Sequence, residues 1–335
     1  MTEISVIIPV YNVENYLRES LDCLRNESFQ DAEFILVDDG SKDSSPAICD
    51  EYAESDGRFR VIHQRNGGPA RARNTGMDAA TGKWICFMDS DDLLRPGSLQ
   101  KMYDMAQGYD VLIHGTEFIG DYDTVPEWIA DASKVEDKVV EDFSVGDIFS
   151  HRGCGPVLWL HFVRADLIQK DHLRIDEDLF LGEDFAFAAT YLANAKRVRF
   201  THEAFYRYRL FRPGSLITTY KDRSAERMEQ GLVMCRTIYT SVRDKMDRDD
   251  EGPMIRALVV FTFHDLHKLD PENLRKFSTK FLTYLRALNV DAHLYELDGS
   301  VLMMIGYIKG TVDGTVSIDR RSHMTAKEYW DLFSD

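Results

Sequence analysis

Four short apolar runs in the first hundred residues each end in a polar cluster, and the residue types in those clusters can do chemistry. Ser5 to Val10 leads into Pro9-Val10-Tyr11-Asn12, and Glu33 to Val37 into Asp38-Asp39-Gly40-Ser41. Arg60 to His63 precedes Asn66-Gly67-Gly68-Pro69-Ala70-Arg71, and Trp84 to Met88 precedes Asp89-Ser90-Asp91-Asp92. Neighbouring carboxylates raise one another's pKa, so packing stability alone gives no reason to collect them. Their hard oxygens suit Mg²⁺ or Mn²⁺, ions held by one or two carboxylates plus substrate phosphates. In an extended segment residues i and i+2 share a side, which predicts that Asp89 and Asp91 face one site. An isolated Asp-x-Asp string is usually a solvated turn. Placed directly after so apolar a run, it reads instead as a metal site.

The other clusters are read the same way. Asp38 suits a capping turn with Gly40 in an unusual backbone conformation, whereas Asp39 has no such duty and can accept a hydrogen bond from a base N–H. Arg71 and Arg73 lie two apart on a helix, so one reaches the cleft and the other forms a structural ion pair. Gly67-Gly68 belongs to neither a G-x-G-x-x-G nor a G-x-x-x-x-G-K-[ST] motif, which counts against NAD(P)H enzymes and phosphate-loop NTPases. Further on, Glu183-Asp184 could be plain first-turn acids complementing a helix dipole, or a general base. His161, His172 and His202 show no paired spacing of a metal site and read as packed or surface residues.

Strands and helices must position these groups. Leu17, Leu21 and Leu24 predict a helix from Val13 to Arg25. Ser45-Pro46 reads as an N-cap followed by proline at the first helical position. Pro69 to Ala80 predicts a third helix, a fourth begins near Pro96, and Asp110 to His114 is a fifth strand. Alternating strands and helices specify a parallel sheet covered on both faces, with ligands at the carboxyl ends of the strands. The expected fold class is therefore α/β.

Composition narrows the function. The 335 residues are 44% hydrophobic and 29% charged, an ordinary globular balance, and the formal net charge of −17 argues against a nucleic-acid partner. The same charge repels anionic headgroups, although a local basic patch could still dock. No run approaches the ~20 apolar residues of a membrane span, and the first residues lack a signal peptide's basic region. Five cysteines without a C-x-x-C pair predict reduced thiols and a cytoplasmic setting.

The segments Val6-Ile7-Ile8-Pro9-Val10-Tyr11-Asn12, Val37-Asp38-Asp39-Gly40-Ser41, Ala72-Arg73-Asn74-Thr75-Gly76 and Met88-Asp89-Ser90-Asp91-Asp92 resemble, in order and spacing, the family 2 inverting GT-A glycosyltransferases. Leu181-Gly182-Glu183-Asp184-Phe185 and Tyr206-Arg207-Tyr208-Arg209 with Gly214-Ser215 extend the resemblance to about two thirds of the chain. It implies a Rossmann-like GT-A domain in which Pro9, Val10, Tyr11 and Asp39 hold the base, usually uracil, with Gly68 and Arg71 also in the nucleotide site. Asp89 would lie near ribose and metal, Asp91 would ligate Mn²⁺ or Mg²⁺, and Asp184 would be the catalytic base with Glu183 beside it. Where the family often has W-x-K-L-F, this chain has Trp159-Leu160-His161-Phe162-Val163, so a lysine role is not carried over.

Gly120 to Gly146 reads as a long surface excursion with a short helix near Phe143. From Tyr220 the pattern turns helical: a stripe through Met228, Leu232, Cys235 and Ile238, then Ile255 to Leu266 and Phe277 to Leu288, punctuated by Pro253 and Pro271. Leu258 to Phe263 is apolar almost all round, hence buried by the chain itself or by a partner. Val301 to Ile308 and Thr315 to Ile318 read as short strands joined at Asp313-Gly314. The expected organisation is a GT-A catalytic domain over 1–215 and a mainly helical appendage over 216–335, with homodimer or peripheral membrane contact through those helices at the inner face of the membrane. The expected activity is metal-dependent, inverting transfer from a UDP-sugar to a hydroxyl of a glycan or lipid-linked acceptor in surface polysaccharide, teichoic acid or glycolipid synthesis. Two alternatives stand beside it: a non-catalytic nucleotide-sugar-binding subunit, and a sugar-1-phosphate nucleotidyltransferase, which would need a basic glycine-rich loop near Pro9.

Overall fold

The run from Ser5 to Val10 forms strand β1 (Ile4–Val10), buried along nearly its whole length. The computed structural model describes residues 2–120, 123–151, 153–155, 157–211, 224–266, 269–288, 297 and 299–313. It divides into two units, Met1–Ser144 with His151–Pro213, and Val145–Ser150 with Gly214–Asp335.

After β1 come α1 (Glu14–Arg25), β2 (Ala32–Asp38), α2 (Ser45–Ser55), β3 (Phe59–His63), α3 (Pro69–Ala79), β4 (Trp84–Phe87), β5 (Leu93–Leu94), α4 (Ser98–Ala106) and β6 (Val111–Ile119). The chain continues through α5 (Glu127–Ala132), β7 (Lys138–Val140), α6 (Val145–Ser150), β8 (His161–Arg164), α7 (Asp166–Gln169), α8 (Glu183–Leu192) and β9 (Val198–Arg209). The sheet order is β3-β2-β1-β4-β8-β6-β9-β5, with β7 also on β9.

β3, β2, β1 and β4 are parallel, as strand–helix alternation predicts. The second half is not. β8 runs antiparallel between β4 and β6, and β5 and β7 are antiparallel to β9, so the sheet is mixed. Alternation cannot announce β8, which arrives from far along the chain. Burial holds it there: Phe162 stacks on Trp84 of β4 with centroids 4.9 Å apart.

Ser45 proves not to be the N-cap of α2. Ser44 occupies that position, and the buried Ser45 hydroxyl instead accepts the Val13 N–H at 3.0 Å, at the start of α1. Asp43 likewise accepts Glu14 N–H at 3.0 Å, and the Glu14 carboxylate accepts Ser44 N–H at 2.9 Å. Two helix starts thus satisfy each other's orphan donors in the segments that follow the adjacent strands β1 and β2. The excursion after β6 carries the short elements α5 and β7, and its final helix, α6, belongs to the second unit.

That second unit holds α9 (Ser224–Val242), α10 (Arg248–Leu266), α11 (Pro271–Ala287) and α12 (Gly299–Asp313). Asp270 caps α11 by accepting Glu272 N–H and Asn273 N–H, and Pro271 fills the first helical position. Pro253 lies inside α10 rather than at its start. Leu258, Val259 and Thr262 of α10 are buried, while Val260 and Phe261 are half-buried. Val301 to Ile308, read as a strand, is part of α12. Within that run Val301, Met304, Ile305 and Ile308 are buried, a helical spacing hidden inside a continuous apolar stretch. Thr315 to Ile318, Gly314 and Gly214-Ser215 lie outside the described residues.

Candidate active site

The segment Ala72-Arg73-Asn74-Thr75-Gly76 on α3 builds the centre of the site, each residue by a different contact. Gly76 lets the helix lie on β1: a Cβ there would come 2.3 Å from Ile7 Cγ2. Asn74 donates to Ile175 O and accepts Ile175 N–H, both at 2.9 Å, which ties the chain preceding α8 to α3. Thr75 donates to Gln64 Oε1 at 2.7 Å. Arg73 is thereby held in the interior, facing acids from two other elements.

Its guanidinium lies 2.9 Å from Asp89 Oδ1, 3.2 Å from Asp184 Oδ1 and 3.6 Å from Glu183 Oε1. Burial works against its charge, but Asp184, Asp89 and Glu183 outweigh that and hold its pKa raised. One cation cannot neutralise three acids. Burial therefore pushes the Asp184 carboxyl up to about 8 despite Arg73, helped by the charges of Glu183 and Asp89. Burial raises Glu183 as well. Both acids open α8, after Gly182 at φ +84 turns the chain. Adjacent on their helix, they nonetheless converge on the same arginine.

Asp89 to Asp92 is not extended. Asp92 N–H closes onto Asp89 O at 3.1 Å, so the segment is a turn and the period-two argument for Asp89 and Asp91 does not apply. Both side chains are nonetheless partly exposed at the end of β4, whereas Asp92 is 1% exposed. Asp92 carries a strongly raised pKa, from burial first and then from Asp91 and Asp89.

Asp39 has the structural duty that its sequence context did not reveal. Its carboxylate accepts Gln64 Nε2 at 2.7 Å, Gly67 N–H at 3.0 Å and Gly68 N–H at 2.7 Å. These contacts take most of its lone pairs, so a base N–H would have to replace one of them. Asp38 is the turn residue expected of it, accepting Ser41 N–H at 3.0 Å beside Gly40 at φ +73. Arg71 is exposed and lies over Gly67, whose added Cβ would meet Arg71 Cδ at 2.2 Å. Of the two arginines, Arg73 is thus the one that forms the ion pairs, while Arg71 stays beside the Gly67-Gly68 loop. Around β1, Val10 is buried with its carbonyl accepting Asp39 N–H at 2.9 Å, Pro9 is half-buried, and Tyr11 is 48% exposed.

His161 is a core residue. Nδ1 meets the Tyr191 hydroxyl, Nε2 meets Gly153 O at 2.5 Å, and burial lowers its pKa to about 4. His202 is exposed and pairs with Asp137 at 2.7 Å. Among the described residues no three His, Cys, Asp or Glu side chains converge to hold a metal unaided. Asp89 and Asp91 are all-oxygen donors at the strand ends, and this set fits a Mn²⁺ or Mg²⁺ ion completed by substrate phosphates and water.

A profile of glycosyl transferase family 2 matches residues 5–147, which take in all four polar strand ends but not Glu183-Asp184. The glycosyltransferase EpsH of Bacillus subtilis, described as putative, is 32% identical over 241 residues, 70% of this chain and 67% of EpsH. The chain belongs to glycosyl transferase family 2. The uncharacterized glycosyltransferase EpsJ of B. subtilis is 35% identical across 62% of this chain, a match spanning 60% of EpsJ. The minor teichoic acid biosynthesis protein GgaA of B. subtilis is 26% identical across 85% of this chain and 66% of its own length. Among solved structures, S. aureus TarS 1–349 in complex with UDP-GlcNAc superposes with a TM-score of 0.64 at 19% identity, covering 92% of each chain. The mannosyltransferase PcManGT from Pyrobaculum calidifontis, in complex with GDP-Man and Mn²⁺, gives 0.54 at 15% identity, covering 96% of this chain and 88% of its own. At such identities these likenesses show the fold, a GT-A sheet with a helical C-terminal region.

The sequence indicated a structural ion pair for one of Arg71 and Arg73, but not that Arg73 would face Asp89, Glu183 and Asp184 together. Nor did the quoted segments indicate that Tyr206 on β9 would donate its hydroxyl to Asp92 Oδ2, at 2.8 Å.

Proposed function

We propose that this family 2 chain transfers a sugar, with inversion, from a UDP-sugar to an acceptor hydroxyl in teichoic acid, surface polysaccharide or glycolipid synthesis. The observation that carries this is one buried arginine, Arg73, joining Asp89 at the donor-side strand end to Asp184 at the start of α8. GgaA supports the product class, and the UDP-GlcNAc complex of TarS supports the donor. No helix among the described residues is long and apolar enough to cross a membrane, and action at the cytoplasmic face belongs to the same proposal. We assign catalysis to residues 1–215, with the helices of 216–335 available for homodimer or membrane contact.

In this reading the Gly67-Gly68 loop and the backbone around Pro9 to Tyr11 receive the base, with Asp39 exchanging its Gln64 contact for a base N–H. Asp91, with Asp89 beside it, would hold the divalent ion, whose chemistry there is to neutralise charge developing on the departing diphosphate. Asp184 accepts the acceptor's hydroxyl proton as that oxygen attacks the anomeric carbon. A single displacement with one base inverts the centre. Arg73 keeps Asp184 oriented and moderates the cost of ionising it.

Two substitutions separate the assigned roles. Asp91→Ala should abolish the Mn²⁺-dependent part of UDP binding while leaving the fold intact, because Asp91 sits in a surface turn. Asp39→Ala should weaken UDP binding with and without Mn²⁺, by freeing the Gly67-Gly68 loop and removing the base contact. Titration calorimetry of UDP, with and without Mn²⁺, reads both. Unchanged Mn²⁺ enhancement in Asp91→Ala would remove Asp91 from the ion's ligands, and wild-type UDP affinity in Asp39→Ala would remove Asp39 from the site. UDP binding without any transfer or hydrolysis would favour the non-catalytic subunit.

A further inference from the structure

Three backbone groups of the Asp89–Asp92 turn, Asp89 N–H, Asp91 O and Asp92 O, are engaged from elsewhere in the first unit, as is the Asp92 carboxylate. The Tyr206 hydroxyl accepts Asp89 N–H at 3.0 Å and donates to Asp92 Oδ2 at 2.8 Å. Arg209 donates its backbone N–H to Asp92 Oδ1 at 2.6 Å and its Nε–H to Asp91 O at 2.8 Å. From α1, the Ser20 hydroxyl donates to Asp92 O at 2.6 Å. Tyr206 is itself fully buried, with its ring stacked on Trp159 at 4.7 Å between centroids. Arg209 is braced at its far end by Glu19 at 2.7 Å. A hydroxyl buried to this degree needs both its donor and its acceptor used, and the turn uses both. The two acids whose backbone is gripped in this way, Asp89 and Asp91, keep their side chains partly exposed.

We propose that Tyr206, assisted by Arg209, is a positioning residue that fixes the Asp89–Asp92 turn in the geometry required by the donor and its ion. This rests on the donor-site reading above. A tyrosine on β9, more than a hundred residues after the turn, thereby sets metal-dependent donor affinity without touching the donor.

The experiment compares wild type with Tyr206→Phe, which keeps the stacked ring and removes only the hydroxyl, and with Arg209→Lys, which keeps the charge but loses the contact to Asp91 O. Two readouts are taken: amide hydrogen exchange across residues 88–93 of the ligand-free protein, and UDP affinity with and without Mn²⁺. Both variants should exchange faster across 88–93 while β1 and β2 stay protected. Affinity with Mn²⁺ should fall roughly tenfold, the scale of one lost buried hydrogen bond, with UDP alone within about twofold of wild type. Unchanged exchange overturns the proposal, as does an equal loss with and without Mn²⁺, which would mark a general structural role. Should Tyr206→Phe fail to fold, Arg209→Lys decides by the same criteria. Asp91→Ala run in parallel isolates the underlying reading. If it keeps normal Mn²⁺ enhancement, the ion assignment has failed, and the exchange data alone decide whether Tyr206 positions the turn.

Discussion

Asp184→Asn should cut turnover by roughly 10²–10⁴ at saturating donor and acceptor, the usual cost of losing a general base. Donor affinity should stay near wild type, since Asp184 takes a proton only as the new bond forms. Glu183→Gln is the necessary companion, because both acids reach Arg73, at 3.2 and 3.6 Å. If Glu183→Gln loses turnover while Asp184→Asn keeps it, the base is Glu183. The pH profile carries a second signature. With its carboxyl pushed up to about 8, ligand-free Asp184 is largely protonated at neutral pH, so kcat/KM should rise through that region before levelling. Stability should move the opposite way. A raised carboxyl pKa means that the folded state binds more protons than the unfolded state between the ordinary carboxylate value and about 8, so stability falls as pH rises through that window. Asp184→Asn removes this contribution and should melt above wild type at alkaline pH. A melting temperature below wild type there would show that Asp184 is better stabilised as an anion than its surroundings suggest.

How far the sequence carries can be judged at three places. The parallel half of the sheet was legible because β1, β2 and β4 are short apolar runs that alternate with helices, and that alternation leaves few topologies open. The antiparallel β8 was not legible, since its place between β4 and β6 depends on packing such as Phe162 against Trp84 and not on any local pattern. In α12 the residues from Val301 to Ile308 are nearly all apolar, and such a run shows no period until burial selects Val301, Met304, Ile305 and Ile308. The site divides similarly. Residue types at strand ends singled out Asp39, Asp89 and Asp91, and the family resemblance singled out Glu183 and Asp184. Which of them share a cation, and which serve as supports like Asp39 and Asp92, depended on side-chain directions fixed only by tertiary contacts.

Arg73→Met should be the most destabilising single change at the site. Methionine matches much of the arginine's length without its charge, so the loss is electrostatic and leaves little cavity. Removing one partner of a buried ion pair typically costs about 3–5 kcal/mol, because the other charge is left uncompensated. Here the charges left behind come from two different elements, Asp89 after β4 and Glu183 with Asp184 on α8. Without Arg73 the acids can relieve the cost only by taking up protons, and the variant should therefore lose stability more steeply with rising pH than wild type. Urea unfolding at about pH 5 and above pH 8 tests this. The deficit should be small in acid and large in base. An equal deficit at both pH values would mean that Arg73 supports the fold through packing alone. In that case the raised Asp184 pKa would owe little to the balance of one cation against three acids, and Arg73 would not be the residue that tempers ionisation of the base.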